Sequence, residues 1–236
     1  MLPVLLDKKV SIKLKGAGLL VAIVLTTNAL TYVLMNFNRN TPYYESQTNA
    51  SSALYLSDHA ARFVNDLPAF ERKVKRICRT LDIPAEWLMA VMFLESRFDA
   101  SAVNAKGSGA TGLLQWTPQE AQALGITSEK LRNTPPNEQL DYALSFLKNI
   151  KTKYKSYENL TDLYLAVFYP DALGEDYCYT LYKKGEADYD RYAPLDQNND
   201  GRLTVKDIDD RLKTQFTTAY MTDKKETKTW WAWIGW

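Results

Sequence analysis

A single histidine, His59, stands among 236 residues, and that scarcity removes whole classes of chemistry. Hydrolytic zinc sites take two or three His ligands, and Ser-His or Cys-His catalysis would have His59 as its only base. Cysteine is nearly as rare. Cys78 and Cys178 cannot build a disulfide-stapled mini-scaffold, and two separate buried thiols are expected rather than their one possible pairing. Net charge is almost absent, with 29 basic against 28 acidic side chains. That balance speaks against a dedicated nucleic-acid binder, which carries a basic excess. The 46% hydrophobic content speaks against a disordered chain. No internal repeat is visible, and alternation suited to strands is scarce. Amidase and endopeptidase chemistry lacks its His and Cys ligands, so any catalysis is expected to run on carboxylates.

What the sequence does have is one long uncharged run, Gly16 to Asn38, with Leu19 to Leu25 purely aliphatic. As a helix rising about 1.5 Å per residue it would cross a hydrocarbon core of roughly 30 Å. Lys8, Lys9, Lys13 and Lys15 precede it and only Arg39 follows closely, so the N-terminus is expected inside and the rest of the chain outside. A cleaved signal peptide and a buried core helix are the rival readings. The expected organisation is a basic inside segment over 1–15, a transmembrane helix over 16–38 and an Asn/Ser/Thr-rich linker over 39–57. A catalytic domain over 58–190, a calcium-loop region over 191–212 and a Trp-rich tail over 213–236 complete it.

The soluble body reads as mainly α. Apolar residues recur at spacings of three and four from Phe63 to Leu81, Trp87 to Phe98 and Leu140 to Tyr154, and Leu160 to Tyr169 suits a buried helix. In the second of these, Asp82 is expected as N-cap, with Pro84 in the first turn. Leu88, Val91, Met92, Glu95 and Phe98 then share one face. Glu95 thus ends an apolar stripe, where desolvation raises a carboxyl pKa towards the range a general acid needs. The alternative is a structural carboxylate neutralised by Arg97 or by backbone N–H groups. A glycine-rich stretch follows, Gly107-Ser108-Gly109-Ala110-Thr111-Gly112, leading into Leu113-Leu114-Gln115-Trp116-Thr117-Pro118. Glycine lets backbone approach a ligand closely, and the Gln115 amide both donates and accepts. No Gly-Lys-Ser/Thr follows, as a phosphate cradle would need.

Glu95-Ser96 followed by Gly112-Leu113-Leu114-Gln115 resembles the lysozyme-like lytic transglycosylase domain of the soluble-lytic-transglycosylase type. The blocks Gln115-Trp116-Thr117-Pro118, Leu124-Gly125, Glu138-Gln139-Leu140-Asp141-Tyr142 and Asp162 to Val167 resemble its phage-encoded branch, as does the run from Tyr169-Pro170 to Leu195-Asp196. The likeness spans roughly residues 68–210. It implies cleavage of the β-1,4 bond between N-acetylmuramic acid and N-acetylglucosamine in peptidoglycan, with Glu95 as acid and later base. Ser96, Gln115 and Tyr169 are implied as cleft residues. One essential carboxylate then suffices, because the substrate's N-acetyl group stabilises the intermediate and the muramic 6-hydroxyl closes a 1,6-anhydro ring. A two-carboxylate glycosidase would need a second acid at about 5–9.5 Å, for which Asp99 is the nearest in sequence. The chain departs from the bacterial Ala-Tyr-Asn-Ala-Gly pattern with Ala166-Val167-Phe168-Tyr169-Pro170. That departure leaves transglycosylation and hydrolysis both open.

Asp196-Gln-Asn198-Asn-Asp200-Gly201-Arg202-Leu203-Thr204-Val-Lys-Asp207 fits the EF-hand calcium loop at nearly every coordinating place. The expected oxygens come from Asp196, Asn198, Asp200, the Arg202 carbonyl, Thr204 (directly or through water) and Asp207, which stands where Glu is usual. A single loop suits a structural Ca2+ of modest affinity, and the alternative is an acidic surface turn. Trp230, Trp231, Trp233 and Trp236 can stack on sugars, sit at a membrane interface, anchor a partner or pack back on the domain. The expected whole is a membrane-anchored enzyme with its catalytic domain outside, acting on peptidoglycan glycan strands. Its place is expected to be a virion that touches other virion structural proteins and opens the wall during phage entry. A bacterial inner-membrane wall-remodelling enzyme, a late lysis protein and an inactive glycan-binding or structural virion protein are the alternatives.

Overall fold

The computed structural model describes residues 53–104 and 107–224. The 16–38 run, most of the linker and the Trp cluster lie outside the described residues, and of the expected tail only 213–224 is described. Among the described residues no helix is long and apolar enough to cross a membrane.

Helices dominate, as expected. After a single turn α1 (Ser57–Ala60) come α2 (Leu67–Leu81) and α3 (Ala85–Ser96). The short α4 (Pro118–Ala123) and α5 (Ser128–Arg132) lead to the long α6 (Pro136–Lys153) and to α7 (Leu160–Phe168). Strand β1 (Thr180–Lys183), α8 (Tyr189–Tyr192), β2 (Arg202–Thr204), α9 (Val205–Gln215) and α10 (Thr217–Tyr220) follow. The two strands, not anticipated from the alternation pattern, pair antiparallel with Tyr182 opposite Leu203 and Lys183 opposite Arg202.

Two helix starts differ from expectation, each for a proline reason. Helix α2 begins at Leu67 rather than near Phe63, because Pro68 tolerates only the first turn, and Asp66 caps it by accepting from Ala69 N at 3.0 Å. Asp82 is not the N-cap of α3. It closes α2 in the left-handed region at φ 58°, and Pro84 itself takes the N-cap place. Proline disfavours helical backbone at the residue before it, so Ile83 separates the two helices.

Helix α3 is the hub. Residues Trp87 to Met92 are all buried, so the expected single apolar face is an apolar helix enclosed on every side, packed against α2, α7 and α10. Trp87 Nε1 donates towards the carbonyls of Ala219 and Thr222, each at 3.0 Å, and so ties α10 to the hub. Lys73 joins α2 to α6 by donating to Asn137 O at 2.6 Å and Asp141 Oδ2 at 2.7 Å. Leu203, Ile208, Leu212 and Phe216 belong to the same apolar core as Leu88 and Met92. The exit helix of the expected calcium loop is therefore built into the catalytic body.

Cys78 and Cys178 are both free. Cys78 is buried in α2, where desolvation and then Glu86 push its thiol well above the ordinary range. Cys178, expected to be buried, is exposed in the approach to β1.

Candidate active site

Glu95 occupies the last turn of α3, half-buried at the end of the hub helix. Immediately beyond it the chain takes two left-handed residues in succession, Arg97 at φ 53° and Phe98 at φ 69°. Such conformations cost of order 1–3 kcal/mol each outside glycine and persist only where packing over-determines them. Phe98 supplies that packing: it is fully buried, with Phe93 at 6.1 Å and Phe70 at 6.4 Å between ring centroids. The turn throws Arg97 outward, where its guanidinium lies 4.8 Å over the Phe93 ring. The alternative of a carboxylate neutralised by Arg97 is thereby removed.

Burial pushes the Glu95 carboxyl up to about 7, and the negative charge of Glu120 adds to the rise while Arg211 opposes it. A carboxyl with that pKa is substantially protonated near neutrality and can both give and take a proton there. The neighbouring acid is thus Glu120 and not Asp99, whose Oδ1 accepts from Ser101 N at 2.8 Å and Ser101 Oγ at 2.7 Å in a local turn. Glu120 is held by the capping box that starts α4: its Oε2 accepts from Thr117 N at 2.8 Å and Thr117 Oγ1 at 2.9 Å. Tyr164 of α7 also lies within the field of Glu95; burial first, and then that charge, raise its hydroxyl far above the usual range. Glu120, Tyr164 and Arg211 carry no sequence motif that assigns them to the site. The Thr117-Pro118-Gln-Glu120 capping signature was the only local sign among them.

The glycine-rich stretch folds back on itself beside this helix end. Gly112 N donates to Ala102 O at 3.0 Å, while Thr111 and Trp116 exchange backbone bonds at 2.9 and 3.0 Å. Gln139, fully buried on α6, fastens the loop from below. Its Oε1 accepts from Leu113 N at 2.9 Å, and its Nε2 donates to the carbonyls of Ala100 and Leu131 at 2.7 Å each, with Thr134 O at 3.1 Å. Gly112 must be glycine: at φ +86° a Cβ would stand 2.6 Å from Gln139 Oε1.

Ser96 is buried, its hydroxyl 3.0 Å from Leu113 O and 3.2 Å from Met92 O. That bond stitches the glutamate's helix to the loop. Gln115, itself left-handed at φ 51°, donates its amide to Gly112 O at 3.0 Å and Ala102 O at 3.2 Å. The amide nitrogen of Gln115 is thus spent on the loop. Tyr169 closes α7 and sets its ring edge-to-face against Tyr182 of β1, centroids 5.4 Å apart.

Residues 75–169 match the family described as the transglycosylase SLT domain. The match runs from within α2 to the residue that closes α7. Members of that family are lytic transglycosylases acting on peptidoglycan, and the chain is an enzyme of that kind. The mainly helical fold fits a lysozyme-like SLT domain. The matched stretch contains Glu95, Ser96, Gly112, Gln115 and Gln139, ends on Tyr169, and leaves β1, α8 and the loop before α9 outside it. Among curated proteins the chain has no match.

The loop beyond the SLT-matched residues folds around Asp196, which is buried. Its Oδ2 accepts from Tyr189 OH at 2.6 Å and Gly201 N at 2.9 Å, and these bonds lower its pKa. Its Oδ1 is buried with no hydrogen-bond partner among the described residues. Asp200 N donates to Asn198 Oδ1 at 3.0 Å, and Arg202 N to Asp200 Oδ1 at 2.8 Å. Gly201 makes the turn at φ +83°. Thr204 caps α9, and Asp207 Oδ2 reaches back to Thr204 N at 2.9 Å in a second capping box. Among the described residues no group of three or more His, Cys, Asp or Glu side chains converges in a metal-holding cluster. The donor set is nonetheless all oxygen, which suits a hard cation, and Asp196 Oδ1 is an acceptor in want of a partner.

Proposed function

We propose that Glu95 is the acid/base that cleaves the β-1,4 bond between N-acetylmuramic acid and N-acetylglucosamine. The observation that carries this reading is a carboxyl raised to about 7 at the end of the hub helix, beside the glycine-rich loop of an SLT domain. The Glu95 carboxylic acid gives its proton to the glycosidic oxygen as the bond from C1 of the muramic residue breaks. The substrate's N-acetyl group shields the cationic C1. Carboxylate Glu95 then takes the proton of the muramic 6-hydroxyl while its oxygen bonds to C1, which yields the 1,6-anhydro end and restores the acid. Gln115 receives substrate N–H or O–H groups through its side-chain oxygen, Tyr169 borders the glycan, and Ser96 acts by holding Glu95 against the loop.

Calcium belongs to the same proposal as a structural ion. Asp196, Asn198, Asp200, the Arg202 carbonyl, Thr204 and Asp207 would hold it, and the partnerless Asp196 Oδ1 supports the assignment. When bound it supplies positive charge that ties the loop to α9. The uncharged run behind four lysines and the phage-like sequence blocks support a membrane-anchored, virion-associated enzyme that opens the wall during entry.

The test uses the full chain in detergent with purified peptidoglycan and mass spectrometry of the released fragments, beside a Glu95→Gln variant. Anhydro-muramic ends that vanish in the variant are expected. Reducing ends would make the enzyme a hydrolase, and products that survive in Glu95→Gln would remove Glu95 from the chemistry.

A further inference from the structure

A concavity of about 380 Å³ lies between the end of α7, β1 and the turn into α8, within the size range of ligand pockets. Tyr169 and Tyr182 form its aromatic wall, while Thr180, Lys183, Glu186 and Asp188 supply polar groups around it. A line of rings joins this pocket to the catalytic carboxylate. Tyr164, which feels the charge of Glu95, stacks on Phe168 at 5.5 Å, and Phe168 meets Tyr192 edge-to-face at 5.0 Å. Tyr192 stacks on Tyr182 at 5.1 Å, and Tyr182 meets Tyr169 at 5.4 Å. Phe168, Tyr169, Tyr182 and Tyr192 are each only partly buried.

The chemistry of the wall selects among ligands. Aromatic faces take the C–H face of a pyranose ring, and mixed donors and acceptors around them take its hydroxyl and N-acetyl groups. The Lys183 ammonium is balanced by Glu186, which also accepts from Lys183 N at 2.9 Å, and Asp188 is engaged with Arg191 at 3.5 Å. A rim without excess positive charge gives no grip on the carboxylates of a stem peptide but accommodates a neutral sugar. All of the pocket except Tyr169 lies beyond the SLT-matched residues.

We propose that this pocket is a saccharide subsite, which holds a sugar ring of the glycan strand at a distance from the scissile bond. It rests on the reading of Glu95 as the catalytic acid, and it makes the segment around β1 and α8 a determinant of the length of glycan the enzyme grips. The test measures binding of a β-1,4-linked N-acetylglucosamine hexamer, which carries no stem peptide, to full-length Glu95→Gln by calorimetry. Adding Tyr182→Leu is expected to weaken hexamer binding at least tenfold and to leave a dimer unaffected. An exposed pair, Lys183→Ala with Glu186→Ala, is expected to weaken the hexamer severalfold, and it serves where Tyr182→Leu fails to fold. Unchanged hexamer affinity in the folded variants would overturn the subsite, as would no hexamer binding at all. So would an effect seen only with ligands that carry a stem peptide. Product analysis of the unaltered enzyme reports on Glu95 separately, so the two readings fail independently.

Discussion

Gln139 Oε1 lies 2.9 Å from Leu113 N and would lie 2.6 Å from a Cβ placed on Gly112, so one buried amide both anchors the loop and dictates its glycine. The helix that carries Gln139 is thereby coupled to the loop that carries Gln115, and Ser96 couples the same loop to Glu95 through Leu113 O. The site is a product of three elements clamped at Leu113.

Gly112→Ala is expected to destabilise the fold by about 2 kcal/mol or more, from the strained φ and the clash together. Gln139→Leu is expected to cost about 3 kcal/mol, because Leu113 N and several carbonyls lose their buried partner. Denaturant titration checks both. A neutral result for Gln139→Leu would mean that the clamp is not what holds the loop.

Glu95→Gln is expected to lower turnover by about 10²–10⁴-fold while raising stability at alkaline pH. The folded chain holds the Glu95 proton more tightly than the unfolded chain, so the site's contribution is full below the ordinary carboxyl value of 4.5 and is lost as pH rises to about 7. Above that range the variant should exceed the unaltered protein by about 1–3 kcal/mol, and the gap should close in acid. Thermal melts across the pH range check this, and parallel curves for the two proteins would refute it.

If Glu95 is the acid, as proposed, the alkaline limb of kcat/KM is expected near pH 7, where it loses its proton. Glu120→Gln removes a charge that raises this pKa and should move the limb to lower pH, whereas Arg211→Gln removes a charge that lowers it and should move the limb up. The opposite signs make the pair diagnostic. A limb that stays put in both variants would detach it from Glu95.

Calcium at a hundredfold excess over its Kd is expected to stabilise the chain by about 2.7 kcal/mol, a rise in Tm of about 5–10 °C at this size. Chelation should reverse the rise, and Asp200→Ala should bring a comparable loss without chelator. Asp196→Ala should abolish the response, because it removes the buried Oδ1 along with the acceptor of Tyr189 and Gly201. Melting curves indifferent to the ion would remove calcium from the loop.

Much of this protein is written locally in its sequence. The apolar spacing of α2, α6 and α7 follows from helix period, and Glu95 at the end of an apolar helix is a position that a linear reading can find. The turn at Gly201 is legible for the same reason, since its residue types and backbone needs are set by neighbours a few places away. The environment that makes Glu95 useful is not local. Glu120, Tyr164 and Arg211 come from three separate elements, and a carboxyl's pKa depends on every charge and apolar wall that folding brings near it. The same holds for the buried amide of Gln139 and the bond from Tyr189 to Asp196, which spacing does not announce. Sequence determined where the reactive groups sit along the chain. Tertiary packing decided which of them meet, because burial and Coulomb forces act through space rather than along the backbone.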